Sequence, residues 1–190
     1  ITDYLPKCLA PICGIPLLEI WINQLREGNV NKILVNTHYF SDMVEMFFDK
    51  KEYKSIEIFK ESKLLGTAGS IKKMLNNVES ENVIVCHSDN LSIFSLSEFF
   101  KSFKNRPKDC MGTMMLFNTE TPSECGIVEL DSEKKVSSYY EKVRGNYGNL
   151  ANGAVYIFDR SQLQDHVFNH DFDFSADVIP RIYPYLNTFK

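Results

Sequence analysis

Several short clusters in this chain combine residue types that could do chemistry. In "LPKCLAPICGIPLLEIW" (residues 5–21), Lys7 stands between Pro6 and an apolar run that leads through Gly14 and Pro16 toward a helix start. Taken alone, Lys7 reads as a solvated cation near the start of the chain. In "HSDN" (87–90), Asp89 follows an apolar, β-branched run. Ligands of open α/β sheets collect at the carboxyl ends of such strands, so Asp89 is a candidate contact; a turn-forming Asp-Asn pair is the plainer alternative. In "LLGTAG" (64–69), Thr67 between Gly66 and Gly69 could cap a helix. Glu141-Lys142 puts an acceptor beside a cation. Neighbours on a strand point to opposite sides unless a bulge or a strand end re-aims one, and an exposed ion pair would be worth little. His166 and His170 are four apart, which could place two imidazoles on one helix face for a metal. No Cys or further His lies close by, so a solvated surface is preferred. Trp21, among leucines and isoleucines, belongs to a core.

These residues need elements to hold them. Pro16 suits the first turn of a helix, and Leu17, Leu18, Ile20, Trp21 and Leu25 recur at helical spacing. Gly28 ends that stretch, and "KILVNTH" (32–38) predicts a strand. Ser41 could cap a helix through Val44, Phe47 and Phe48. "SIEIF" (55–59) alternates as a strand, and the 66–70 segment leads into a helix with Ile71, Met74 and Leu75 on one face. "NVIVC" (82–86) is a β-branched run typical of a strand buried on both faces. "SLSEFFKSF" (95–103) is helical. This alternation predicts a doubly wound, mostly parallel sheet. After Asp109 the pattern turns to strands in quick succession: 110–118, 126–130, 136–143 and 153–159, with a hairpin turn at 131–135. Ser161 and Ser175 are expected to cap two short closing helices. The expectation is one domain over 1–190, with an α/β half (1–108) and a β-rich half (109–190), which the family resemblance given below implies to be the nucleotide-binding and sugar-binding halves.

Composition sets the outer limits. At 44% apolar and 24% charged, the 190 residues suffice to bury a core without staples. The net charge is −4 and no basic stripe is present, so nucleic acid is a poor partner. The cysteines (Cys8, Cys13, Cys86, Cys110 and Cys125) are odd in number, widely spaced and without a CxxC, which reads as reduced thiols of a cytoplasmic protein. No signal peptide and no apolar run long enough to span a bilayer is seen, so no membrane partner is expected. Whether the protein forms a homo-oligomer is left open.

The ordered set "LPKCLAPICGIPLLEI", "LLGTAGSI", "VIVCHSDNL", "CGIVELD", "YYEKV", "NLANGAVYIF" and "DFSADVIP" runs through nearly the whole chain. In it the chain resembles the sugar nucleotidyltransferases, which join a sugar 1-phosphate to a nucleoside triphosphate (NTP). The resemblance implies a Rossmann-like, mixed and mostly parallel sheet with helices on both faces. It implies NTP and sugar 1-phosphate as partners and Mg²⁺ as cofactor. Lys7 matches the lysine that helps hold the anionic substrates, and a lysine is a compact point charge for phosphate oxygens. Asp89 matches the family's Mg²⁺-binding aspartate; a hard cation takes one or two carboxylates and completes its shell with water and phosphate. Gly66, Thr67 and Gly69 match the base-binding segment, where glycines let backbone approach a flat ring. Glu61 could also meet the base, although a solvated charge is the blander reading. Glu141 matches the acceptor for sugar hydroxyls and Lys142 the cation for the sugar phosphate. Gly126 and Asn152 complete the sugar-phosphate contacts, and catalysis is expected to rest on Lys7, Asp89 and Lys142.

The departures are also informative. The family's first strand and Gly-rich loop would precede Ile1, so the chain is expected to be truncated at its N-terminus, and at its C-terminus as well. Cys8 stands where a second Pro is common, Ser88 where Gly is usual, Cys125 where Tyr is frequent and Val143 where Pro is frequent. The closing segments are similar to guanylyltransferases acting on mannose or heptose 1-phosphate, which favours GTP. Two rivals remain: a non-catalytic nucleotide-sugar-binding regulatory homologue, and a glycosyltransferase of similar fold, which the missing Asp-x-Asp motif disfavours.

Overall fold

The structure is a computed structural model that describes residues 4–49, 53 and 56–190. The chain divides into two compact units. One comprises 1–65 with 87–96, and the other 66–86 with 97–190.

In the first unit, β1 (Pro11–Ile12) and β2 (Ile15–Pro16) form a small antiparallel hairpin. Cys13 and Gly14 turn it, both with positive φ. Helix α1 (Leu17–Glu27) follows and buries Leu17, Leu18, Trp21 and Ile22 along one side, the face that its apolar spacing predicts. Strand β3 (Ile33–Thr37), helix α2 (Ser41–Phe48) and strand β4 (Ile56–Lys60) make a strand–helix–strand crossover, and β3 pairs parallel with β4. Their shared core is Leu18, Ile22, Val44, Phe47, Phe48, Tyr53 and Ile56. Ser41 does not cap α2. Its hydroxyl goes to Asp42, and the residue ahead of the helix is Phe40 in a left-handed conformation. Ser55, the expected start of the 55–59 strand, lies outside the described residues.

The second unit opens with α3 (Gly66–Leu75) and β5 (Asn82–Cys86). After α4 (Leu96–Lys104) come β6 (Gly112–Asn118), β7 (Gly126–Leu130), β8 (Val136–Glu141) and β9 (Leu150–Asp159). The short helices α5 (Arg160–His166) and α6 (Ile179–Ile182) and the strand β10 (Leu186–Phe189) close the chain. The sheet has six strands in the order β10-β6-β9-β7-β8, with β5 also on β9. It is mixed: β10 runs parallel to β6, whereas β9 pairs antiparallel with β5, β6 and β7. The fold is thus α/β with mixed sheets and packed helices. Its core gathers Met111, Met114, Tyr156, Phe158, Leu163, Phe174, Ile179, Ile182 and Leu186.

Three local expectations meet the structure here, and two are corrected. The caps of the closing helical turns are aspartates. Asp159 accepts the backbone N–H of Gln162, and Asp173 that of Ala176; Ser161 and Ser175 lie two residues further on. Aspartate competes at least as well as serine for that position. Strand β5 is half-buried rather than buried on both faces, because among the described residues it pairs with β9 alone. The 131–135 turn is as expected: Asp131 Oδ1 accepts from the backbone of Glu133 and Lys135.

Candidate active site

Lys7 opens a single 3₁₀ turn (Lys7–Leu9) after Pro6. The carbonyls of Pro6 and Lys7 accept the N–H groups of Leu9 and Ala10, and the Ala10 carbonyl accepts from Leu17 at the start of α1. The lysine is therefore tied by backbone to a buried helix. Asp89 lies in the loop after β5, which the same helix holds. The Trp21 indole, almost wholly buried, donates to the Asn90 carbonyl at 2.8 Å and packs edge-on against Phe94. Lys7 Nζ and Asp89 Oδ2 come within 3.9 Å, and their side chains are 66% and 47% exposed. An ion pair that open contributes little to stability, so its charges stay available to a ligand. The Asp89 carboxylate suits a hard cation: it is partly open and able to bind together with substrate oxygens and water. Among the described residues no group of three or more His, Cys, Asp or Glu side chains is arranged to hold a metal by itself.

In the second unit, Gly126, Glu141, Lys142 and Asn152 lie on or beside three strands of one sheet. Glu141 ends β8 opposite Gly126 of β7. Lys142 follows with φ +48°, and its N–H donates to the Cys125 carbonyl. This left-handed residue breaks the strand alternation. Lys142 Nζ swings to 3.6 Å from Glu141 Oε1 rather than to the opposite side. Asn152 sits on β9 beside a register shift against β6, between Met114 and Leu116. There Ala154 has φ +54° and donates to Asn152 Oδ1 at 3.0 Å. Bulges of this kind re-aim side chains. The Asn152 amide donates to Tyr156 Oη at 2.7 Å.

Two residues of this cluster escape sequence reasoning. Tyr139 donates its hydroxyl to Glu141 Oε2, and Tyr156 is fully buried behind Asn152. Burial and the Glu141 contact push the Tyr139 phenol well up; burial does the same to Tyr156. Strand parity holds the signal for Tyr139, since residues two apart share a face.

Gly66 and Thr67 open α3. Gly66 has φ +72°, and a Cβ there would overlap the Phe172 carbonyl and come within 2.8 Å of its ring. Thr67 Oγ1 accepts the Phe174 N–H at 2.7 Å instead of capping its own helix, and the Ala68 N–H donates to the Phe172 carbonyl. Gly69 lies one turn further on, inside the helix. Glu61 is buried, not solvated: Oε1 accepts from Asn36 and Oε2 from the Leu65 backbone, which fixes the chain just ahead of Gly66. His166 ends α5, whereas His170 lies beyond it against Phe168, so the two do not share a helix face.

Residues 1–185 match the Nucleotidyl transferase family. The chain belongs to that family, and within it to the sugar nucleotidyltransferases. It is 27% identical over 182 residues to D-glycero-alpha-D-manno-heptose 1-phosphate guanylyltransferase of Aneurinibacillus thermoaerophilus, covering 95% of this chain and 77% of that protein. It is 29% identical over 175 residues to the mannose-1-phosphate guanylyltransferase catalytic subunit beta of Xenopus tropicalis, covering 86% and 48%. The chain thus spans about three quarters of the first relative and about half of the second. Among solved structures, HddC from Yersinia pseudotuberculosis shares the fold with a TM-score of 0.81 at 23% identity, over 97% of this chain and 80% of that one.

Proposed function

We propose that this protein transfers a nucleotidyl group from an NTP to a sugar 1-phosphate, releasing pyrophosphate, in the cytoplasm. A phosphate oxygen of the sugar 1-phosphate attacks the α-phosphorus, the bond to the β-phosphate bridge breaks, and pyrophosphate carries the electron pair away. The nucleophile is already anionic, so no general base is required. What the chain must supply is position and positive charge. Lys7 neutralises phosphate oxygens from its fixed 3₁₀ turn. Lys142 holds the sugar phosphate, and Glu141 accepts from sugar hydroxyls. Gly126 and Asn152 add close backbone and amide contacts, while the Gly66–Gly69 segment faces the base. Asp89 would hold Mg²⁺, which supplies charge neutralisation for the triphosphate when bound.

The observation that carries this reading is the Lys7–Asp89 pair at 3.9 Å, two opposite charges left open to solvent on a buried scaffold. GTP is favoured as the nucleotide, and mannose or heptose 1-phosphate as the acceptor. Two relatives named as guanylyltransferases and a structure of the Yersinia protein complexed with GMP-PN support that choice. A relative named UTP–glucose-1-phosphate uridylyltransferase, 24% identical, makes the uridylyl reaction the natural control.

The test is a pyrophosphate-release screen of the full-length protein against four NTPs and a panel of sugar 1-phosphates. Turnover is expected with GTP and a manno-configured acceptor. Asp89→Ala should lower kcat about a thousandfold, with the thermal midpoint little changed. Activity of that variant within a few-fold of wild type would overturn the assignment of Asp89.

A further inference from the structure

We infer that Tyr139 is a positioning residue for the sugar site, occupying Glu141 Oε2 so that Oε1, beside Lys142 Nζ, is the oxygen presented to a hydroxyl of the incoming sugar 1-phosphate. The inference rests on the nucleotidyl-transfer reading and deepens it.

Tyr139 and Glu141 are two apart on β8, so both side chains stand on the same face of the sheet. Tyr139 is opposite Val128 and Glu141 opposite Gly126 on β7. At Gly126 the missing side chain leaves the room in which the phenol and the carboxylate meet. A Cβ there would overlap Tyr139 Oη and lie 2.7 Å from Glu141 Oε2. Val128, by contrast, is buried in the core against which the Tyr139 ring packs. The phenol is thus anchored at its ring and committed at its oxygen.

Donor and acceptor roles follow from chemistry. An ionised carboxylate only accepts, so the phenol must donate to Oε2. The Asn152 amide donates to Tyr156 Oη. The carboxylate has no proton to give, so the Tyr139 proton is directed at Glu141. Burial and the carboxylate contact hold the phenol protonated throughout the working pH range. Oε2 is therefore occupied before substrate arrives. Oε1 faces the exposed Lys142 Nζ at 3.6 Å, on the side where a phosphate-bearing sugar would be met.

A free glutamate samples several rotamers and loses that freedom when it binds. Tyr139 removes the cost in advance, which is preorganisation of a binding group. It does not touch the reacting atoms, so its loss falls on uptake of the sugar phosphate rather than on the nucleotide or the chemical step.

The experiment is steady-state kinetics of Tyr139→Phe in the full-length protein, with GTP and α-D-mannose 1-phosphate, beside calorimetric binding of mannose 1-phosphate. KM and Kd for the sugar phosphate should rise about tenfold, as expected for losing one hydrogen bond to a charged group. KM for GTP and kcat should stay within about twofold. Since the phenol acts through the carboxylate, adding Tyr139→Phe to Glu141→Ala, which leaves the phenol no acceptor there, should cost under about twofold more. Equal losses for both substrates, or additive losses in the double variant, would overturn the inference, as would an unchanged sugar-phosphate KM. If the phenylalanine variant folds poorly, the binding titration on its folded fraction separates the same two outcomes. A wild-type protein that neither turns over any pair nor binds mannose 1-phosphate sinks both readings; a working enzyme indifferent to the Tyr139 hydroxyl sinks this one alone.

Discussion

Two of the residues that could do chemistry here are held by a backbone device that places them against the local rule. Lys142 follows its strand in a left-handed conformation and so turns back toward Glu141. Asn152 precedes a bulge at which Ala154 takes positive φ. A residue other than glycine in that region costs about 1 kcal/mol or more, and such strain gathers where a side chain must be aimed. Gly126 serves differently, by leaving out atoms. Gly126→Ala should force the Tyr139–Glu141 pair apart while the strand pairing survives. Sugar-phosphate KM is expected to rise about tenfold or more, against a drop in thermal midpoint of only a few degrees. Kinetics and a melting curve check this together; a variant with wild-type KM would show that the pair tolerates the added methyl and that Gly126 is not needed for it.

At the scale of elements, α1 is the part on which the placement of Lys7 and Asp89 depends. Its first residue ties down the Lys7 turn, and its Trp21 holds the loop carrying Asp89. Trp21→Phe keeps an aromatic ring in the pocket but removes the indole donor. The Asn90 carbonyl is at an exposed residue and can take water instead, so the stability cost is about 1 kcal/mol, a few degrees in a domain of this size. The expected kinetic effect is larger: KM for the NTP should rise several-fold with the sugar-phosphate KM unchanged. Equal shifts in the two would mean that Trp21 is packing alone. Helix α1 is legible from its spacing, and so is Trp21 as a core residue. The second task of Trp21 is not, because a hydrogen bond to a carbonyl 69 positions away leaves no local trace. Strand parity makes Tyr139 discoverable but does not show that its partner is Glu141. The caps fall two residues ahead of the serines that predict them, since Ser and Asp compete for the same N–H groups. Glu61 reads as a surface charge because most glutamates are one; only the fold brings Asn36 to it.

For the whole molecule, the alternation of helix and strand announces an α/β fold, and the late run of strands announces the mixed sheet around β9. The partition into two units is hidden, because each unit is discontinuous: the 87–96 loop joins 1–65, and 66–86 joins the β-rich part. Contacts between distant stretches set that division, and no window of sequence contains them. The second unit also carries its own acid sensitivity. The backbone N–H groups of Asp173 and Phe172 donate to Asp177 Oδ2 and hold its carboxyl below its ordinary value of 3.8. The Lys135 ion pair does the same to Asp109, while Lys135 itself is pushed up to about 12. Carboxyls with lowered folded-state values bind protons more readily in the unfolded chain. Their contribution is complete above the ordinary value of 3.8 and fades as pH falls through the folded values, so acid destabilises the protein from that point downward. The melting temperature should therefore be nearly flat above about pH 5 as far as these groups are concerned, and fall steeply below 3.8. Asp177→Asn cannot gain or lose a proton there. Its melting temperature should start lower than wild type at neutral pH and decline less on acidification, so that the two curves approach each other as pH falls below 3.8. Parallel curves would show that Asp177 contributes nothing to the acid response.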